Sequence, residues 1–197
     1  MSFLSPPQAD ANSPSPDTGL LEIFRAYPDT ARPLLDLHEQ VMRAASPFTA
    51  AERELIAAYV SGLNSCTYCH GAHTAAASAF GIPAETVRAA VADLDSAPVE
   101  PRMKSVLRYL GKLTRTPAAV TADDAAQVFA VGWDERALHD AVLVCALFNF
   151  MNRMVNGLGV HASAAYLQMS GERLGRLGYA GLAAMMDSSG AAGRRPM

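Results

Sequence analysis

Cysteine is scarce in this chain, with three among 197 residues, and tryptophan occurs once. So few thiols cannot staple a domain of this size, so its stability has to come from a buried apolar core. Charge is sparse too: 18% of the residues are charged and the formal net charge is −3. The missing excess of basic residues argues against a nucleic-acid binder. No apolar run of about 18 residues is free of polar breaks, so the sequence offers no membrane-spanning helix. The N-terminus has neither a basic n-region nor an apolar h-region. With so few cysteines and no such leader, the expected location is the reducing cytoplasm, where a cysteine pair is catalytic or metal-binding rather than structural. Alternation of apolar and polar residues over a useful length is also absent, which makes the class all-α.

Half of the residues are hydrophobic (50%), enough for a full core in one domain or two closely packed halves. Residues 1–17, rich in Ser and Pro, are expected to form a disordered tail. Residues 18–186 form the helical domain, and residues 187–197, rich in Ser, Gly, Ala and Arg, a flexible C-terminal tail. Helical spacing begins at Leu20, Leu21, Ile23 and Phe24. After Pro28 and Pro33 comes an amphipathic segment with Leu34, Leu35, Leu37, Val41 and Met42. Thr49-Ala50-Ala51-Glu52 reads as a capping box and Thr121-Ala122-Asp123-Asp124 as a further cap. The longest and most apolar helix is expected from Asp134 to Val155.

The reactive side chains concentrate in Asn64-Ser65-Cys66-Thr67-Tyr68-Cys69-His70-Gly71-Ala72-His73, with two of the three cysteines and two of the five histidines. The alanine-rich residues that follow predict a helix ending near Gly81 and Pro83. On it Cys66, Cys69 and His73 share one face, and His70 borders that face. A Cys-x-x-Cys pair near a helix N-terminus has its thiolate favoured by the dipole and can close a small disulfide ring. His73, one turn beyond Cys69, is placed to take that thiol's proton directly or through one water. A zinc site would need a second Cys/His pair, which the sequence does not offer. Cys66-x-x-Cys69-His70 also matches the haem attachment pattern, which requires export. Buried cysteines filling an apolar face would suit a lone Cys better than a pair with a histidine in register. Upstream, Glu52 and Glu54 both sit near a helix start, and composition does not choose between them.

This arrangement resembles the carboxymuconolactone decarboxylase superfamily, and within it the alkylhydroperoxidase D-like, peroxidase-related branch. Those proteins carry a glutamate on one helix and Cys-x-x-Cys-x-x-x-His on the next, as in Glu54 followed by Cys66, Cys69 and His73. Asn64 and Tyr68 flank the cysteines as they often do in that branch, and Phe148-Asn149-Phe150-Met151-Asn152-Arg153 is similar too. The resemblance covers roughly residues 20 to 180. It implies an alkylhydroperoxidase D-like helical bundle and selects Glu54, beside the thiols with a raised pKa. It also implies reduction of a hydroperoxide: Cys69 attacks, Cys66 condenses with it to the Cys66–Cys69 disulfide, and an external dithiol or redox protein resets the pair. Helix-dipole reasoning alone would favour Cys66 as the attacking thiol. No cofactor or metal is expected. Relatives form dimers, trimers or hexamers, and the long apolar helix faces agree with a homo-oligomer. In one departure, Tyr68 stands where the best-studied pattern has a relay histidine. Rival readings are a decarboxylase or lactone-processing member, which generally lacks the pair, and a non-catalytic Cys/His metal-binding module.

Laid over itself so that Glu52-Arg53 meets Glu135-Arg136, the chain puts Cys66, Cys69 and His73 on Asn149, Asn152 and Asn156. Such a duplication would give two pseudo-repeated helical halves, one having lost its thiols. Asn149, Asn152 and Arg153 then need partners on a largely apolar helix, and Asn152 is assigned a supporting role. Cys145, between Val144 and Ala146, reads as a core residue, and His139 and His161 as structural; His38 reads as structural too, with a site facing its helix as the alternative.

Overall fold

The computed structural model describes residues 2–4 and 19–190. Apart from residues 2–4, the expected N-terminal tail lies outside this range, as do residues 191–197 of the expected C-terminal tail. Residues 187–190 continue the last helix. The described chain is helical, with no strand: α1 (Leu20–Ala26), α2 (Pro28–Arg43), α3 (Ala50–Leu63), α4 (Thr67–Ala79), α5 (Ala84–Ala92), α6 (Pro101–Arg115), α7 (Ala122–Ala130), α8 (Glu135–Gly157) and α9 (Ala164–Gly190), with a 3-10 turn at Pro117–Ala119. α2 starts earlier than the sequence predicts. Pro28 occupies its first turn, where the missing N–H costs nothing, and Pro33 is accommodated inside the helix.

α3 is the central rod, buried continuously from Arg53 to Ser61, as befits a helix that is apolar on nearly every side. Its start is fixed by the capping box: the Thr49 N–H donates to Glu52 Oε2 (2.7 Å) and the Glu52 N–H to Thr49 Oγ1 (3.2 Å). Its end is a Schellman turn. The N–H of Ser65 reaches the Gly62 carbonyl, the N–H of Cys66 reaches the Ser61 carbonyl, and Ser65 takes the left-handed φ of 54° that glycine usually supplies. This turn delivers Cys66 as the N-cap of α4.

α4 is packed between α3 and α9. The closeness of α9 depends on glycine: a Cβ on Gly171 would collide with the Ala72 carbonyl and the Ala75 methyl, and one on Gly175 would press on Ala79. α8, 23 residues without a break, is the longest uninterrupted helix, as the sequence predicts, whereas α9 is two helical segments joined at a kink. The kink is at Gly178, whose φ is 65°, and the freed N–H groups of Tyr179 and Ala180 are taken by the Glu39 carboxylate of α2 (2.8 and 3.0 Å). The duplication is not realised. The position equivalent to the α3–α4 turn falls in the middle of α8, an unbroken helix. The main core includes Phe48, Ile56, Leu107, Leu110 and Phe148, and a second, smaller cluster gathers Ile23, Cys66, Tyr68, Cys69, Val155 and Val160.

Candidate active site

Five helices converge on one small cavity of about 70 Å³. Leu20 and Phe24 of α1, Leu35 and His38 of α2, Tyr68, Cys69 and His73 of α4, Phe148 and Met151 of α8, and Ser170, Arg173, Leu174 and Tyr179 of α9 are among its walls. The lining is chiefly apolar, so the few polar groups that face it stand out.

Glu54 is 0% exposed. One oxygen accepts from His73 Nδ1 (2.6 Å) and the other from the Arg43 guanidinium (2.5 Å). Burial pushes its carboxyl up, but His73 and Arg43 outweigh burial and hold it below the ordinary range. The raised pKa expected from the sequence is therefore wrong in direction. The sequence reading had no partner for this carboxylate other than His73, and Arg43 arrives from the end of α2. Its guanidinium also lies over the rings of Phe80 and Tyr179, at 5.4 and 5.2 Å from their centroids.

With Nδ1 committed to Glu54, the Nε2 of His73 is its free nitrogen. The ring stands edge-on to Phe148, centroids 4.4 Å apart. Among the described residues His73 hydrogen-bonds neither sulfur, so direct deprotonation is not what this geometry offers, and a bridging water is the remaining route. His38 is the second imidazole of the cavity. Its Nδ1 meets the Leu34 carbonyl at 2.7 Å and must donate there, leaving Nε2 without a proton. Burial lowers its pKa to about 4. A histidine read as structural thus stands in the site, and only the fold brings it there.

Cys66 and Cys69 are both reduced. Cys66 is 0% exposed and Cys69 is 4% exposed; of the two, Cys69 lines the cavity. The Cys66 thiol is brought down to about 7, first by hydrogen bonding from the Cys69 thiol and, against the opposing effect of burial, by the Cys69 and Tyr68 N–H groups and the Asn152 amide. Cys69 moves the other way, because its proton is held by Cys66 and because it is buried. The pair therefore shares one proton, with the negative charge favoured on the N-cap sulfur. That matches the helix-dipole argument for which thiol is more acidic, while exposure to the cavity belongs to the other.

Asn152 is oriented by two partners. Its amide nitrogen donates to Ser61 Oγ (2.9 Å), and its oxygen accepts from Asn64 Nδ2 (2.9 Å). Asn64 donates also to Asn149 Oδ1 (3.1 Å), and Asn149 donates to Thr114 and to the Cys145 carbonyl. The asparagines of α8 are thus supports of the thiol turn. Tyr68 accepts from the Leu20 N–H (3.0 Å), tying α1 over the cavity. His70 does not join the thiols: its Nδ1–H donates to the Ala58 carbonyl (2.9 Å) and fastens α4 to α3. Cys145 is a buried core residue, His139 pairs with Asp140, His161 is exposed, and Asn156 is exposed. The residues the sequence reading missed are Arg43 and Tyr179, with His38 held only as an alternative. None belongs to a local motif; the faint signal was a histidine and an arginine on an amphipathic helix just upstream of Glu54.

Residues 28–112 match the Carboxymuconolactone decarboxylase family. Among solved structures, an uncharacterised peroxidase-related protein from Silicibacter sp. TM1040 superposes with a TM-score of 0.70 at 26% identity, covering 75% of this chain and 78% of that one. The alkylhydroperoxidase AhpD core of an uncharacterised peroxidase-related protein from Ralstonia eutropha JMP134 gives 0.70 at 23% identity, over 76% and 78%. A protein of unknown function from Agrobacterium tumefaciens gives 0.63 at 16% identity, over 72% and 95%, and the last two likenesses speak to fold alone. No curated protein matches the chain.

Proposed function

With residues 28–112 matching the carboxymuconolactone decarboxylase family, and the chain folded as the alkylhydroperoxidase D-like structures are, we propose that it is a thiol peroxidase. It reduces a hydroperoxide to an alcohol through Cys66 and Cys69. One observation carries the reading: Cys69 forms part of the wall of a small, chiefly apolar cavity, with an acidified thiol behind it and an imidazole held by a buried carboxylate on the same wall.

The steps follow from this order. Near neutral pH a substantial fraction of the protein carries one negative charge on the pair, favoured on Cys66. Cys69 passes its proton across to Cys66, and its sulfur attacks the terminal peroxide oxygen. The O–O bond breaks, its electron pair leaves with the alkoxide, and Cys69 becomes a sulfenic acid. The alkoxide is protonated to the alcohol, His73 Nε2 relaying the proton, which is regained from Cys66. Cys66 thiolate then attacks the sulfenic sulfur, an S–S bond forms, the S–O bond breaks, and hydroxide leaves to become water. An external dithiol or redox protein reduces the disulfide by exchange. Glu54 keeps the His73 ring in one orientation with Nε2 as the working nitrogen. The two views of the cysteines are reconciled here: Cys66 is the acidic member and Cys69 the attacking one.

Substitution of Cys69 by Ser is expected to abolish peroxide consumption in a coupled assay, and retained turnover would refute the assignment. In the wild-type protein, peroxide should remove two titratable thiols and a dithiol should restore both. Self-association is part of the same reading. Tyr27, Leu37 and Phe150 are 53%, 49% and 53% exposed and line an apolar groove of about 600 Å³, which a second copy of the chain would cover.

A further inference from the structure

Tyr179 follows the bend at Gly178, where its N–H is anchored by Glu39. Its ring is packed against His38, centroids 5.0 Å apart, and under the Arg43 guanidinium. The residue is 4% exposed and is a wall of the cavity that contains Cys69, yet its hydroxyl has no hydrogen-bond partner among the described residues. A buried hydroxyl left unpaired opposes folding, and phenylalanine would fill the same space without that cost. The exception calls for a ligand. The group keeps its proton and so can donate: burial first, then the charges of Glu54 and Cys69, outweigh the Arg43 guanidinium and hold its pKa above the ordinary range.

We infer that Tyr179 donates a hydrogen bond to the peroxide oxygen that departs as alkoxide when the Cys69 sulfur attacks. This rests on the peroxidase reading and adds a catalytic residue to it. As the O–O bond breaks and charge grows on the leaving oxygen, the Tyr179 O–H strengthens its bond to that oxygen, while the proton that completes the alcohol still comes through His73. A donor already fixed where charge develops needs no rearrangement during the reaction, and loss of one such donor typically lowers a rate by about a hundredfold or more.

The test compares two reactions of the same thiol pair in Tyr179→Phe, which keeps the ring on His38 and Arg43. Oxidation by tert-butyl hydroperoxide, followed in rapid mixing, should slow by about a hundredfold. Alkylation by iodoacetamide should hold its wild-type rate and pH profile, because iodide leaves without a hydrogen bond. Equal oxidation rates in variant and wild type overturn the inference, as do equal losses in both reactions, which would mean a disturbed thiol. A second measurement needs only the wild-type protein: its oxidation rate should vary less steeply with leaving-group pKa, from peracetic acid to tert-butyl hydroperoxide, than that of a free small thiol. The same steepness in both overturns it too. A wild-type protein that consumes no peroxide at all would instead defeat the peroxidase reading itself.

Discussion

Glu54, His73 and Arg43 form the charge centre of the site, and their burial makes its consequences measurable. Glu54→Gln leaves the largely covered Arg43 guanidinium without its counter-charge; breaking a fully buried pair typically costs about 3–5 kcal/mol, and the partial exposure of Arg43 puts the expected loss at or below the lower end. A lowered urea midpoint with an unchanged slope would register the loss, together with slower peroxide turnover. His38 predicts a pH dependence of stability. A base whose folded pKa lies at about 4, against an ordinary 6.5, binds fewer protons folded than unfolded across that window. Stability from this group is therefore complete above pH 6.5 and falls as pH drops toward 4, by on the order of 3 kcal/mol. From pH 6.5 down to pH 4 the melting temperature of the wild type should fall further than that of His38→Leu, which lacks the titrating group. Cys66, Cys69 and His73 were legible because their spacing on one helix is itself the signal, whereas Glu54 was told from Glu52 only by the resemblance. The direction of the Glu54 shift was not legible, since a salt bridge across helices leaves no trace in local sequence.

Two joints decide how the helices meet. In the turn between α3 and α4, Ser65 holds a left-handed φ of 54° that carries a steric penalty. Ser65→Gly should raise stability by about 1 kcal/mol, seen as a higher melting temperature, because glycine adopts that conformation without strain. At the contact of α9 with α4 the demand is reversed. Gly171→Leu must push the helices apart, and overpacking of this kind costs about 1–3 kcal/mol. The expected readout is faster alkylation of Cys69 as its cavity opens, alongside the lower melting temperature. α9 was hard to read for the same reason. Gly171, Gly175, Gly178 and Gly181 interrupt its apolar pattern, and glycine is a poor helix former. The nearness of α4 explains Gly171 and Gly175, and the left-handed φ of the kink explains Gly178. The capping boxes at Thr49 and Thr121, by contrast, were visible because a cap is a local device.

For the molecule as a whole, the all-α class was legible because segment after segment carries helical spacing and no strand alternation of useful length competes with it. The duplication failed because α8 runs unbroken where a second turn was needed, and Asn149 and Asn152 turned out to brace the first one. Self-association makes a separate prediction: sedimentation should find the chain larger than one subunit, and Phe150→Glu, in the apolar groove, should shift it toward the monomer. The architecture also bears on how the protein is made. The thiol turn emerges from the ribosome well before α9, the helix that closes the cavity over it. Until that last segment has emerged and docked, the nascent chain offers its cysteines to any passing oxidant, so synthesis under oxidative stress should trap prematurely bridged chains.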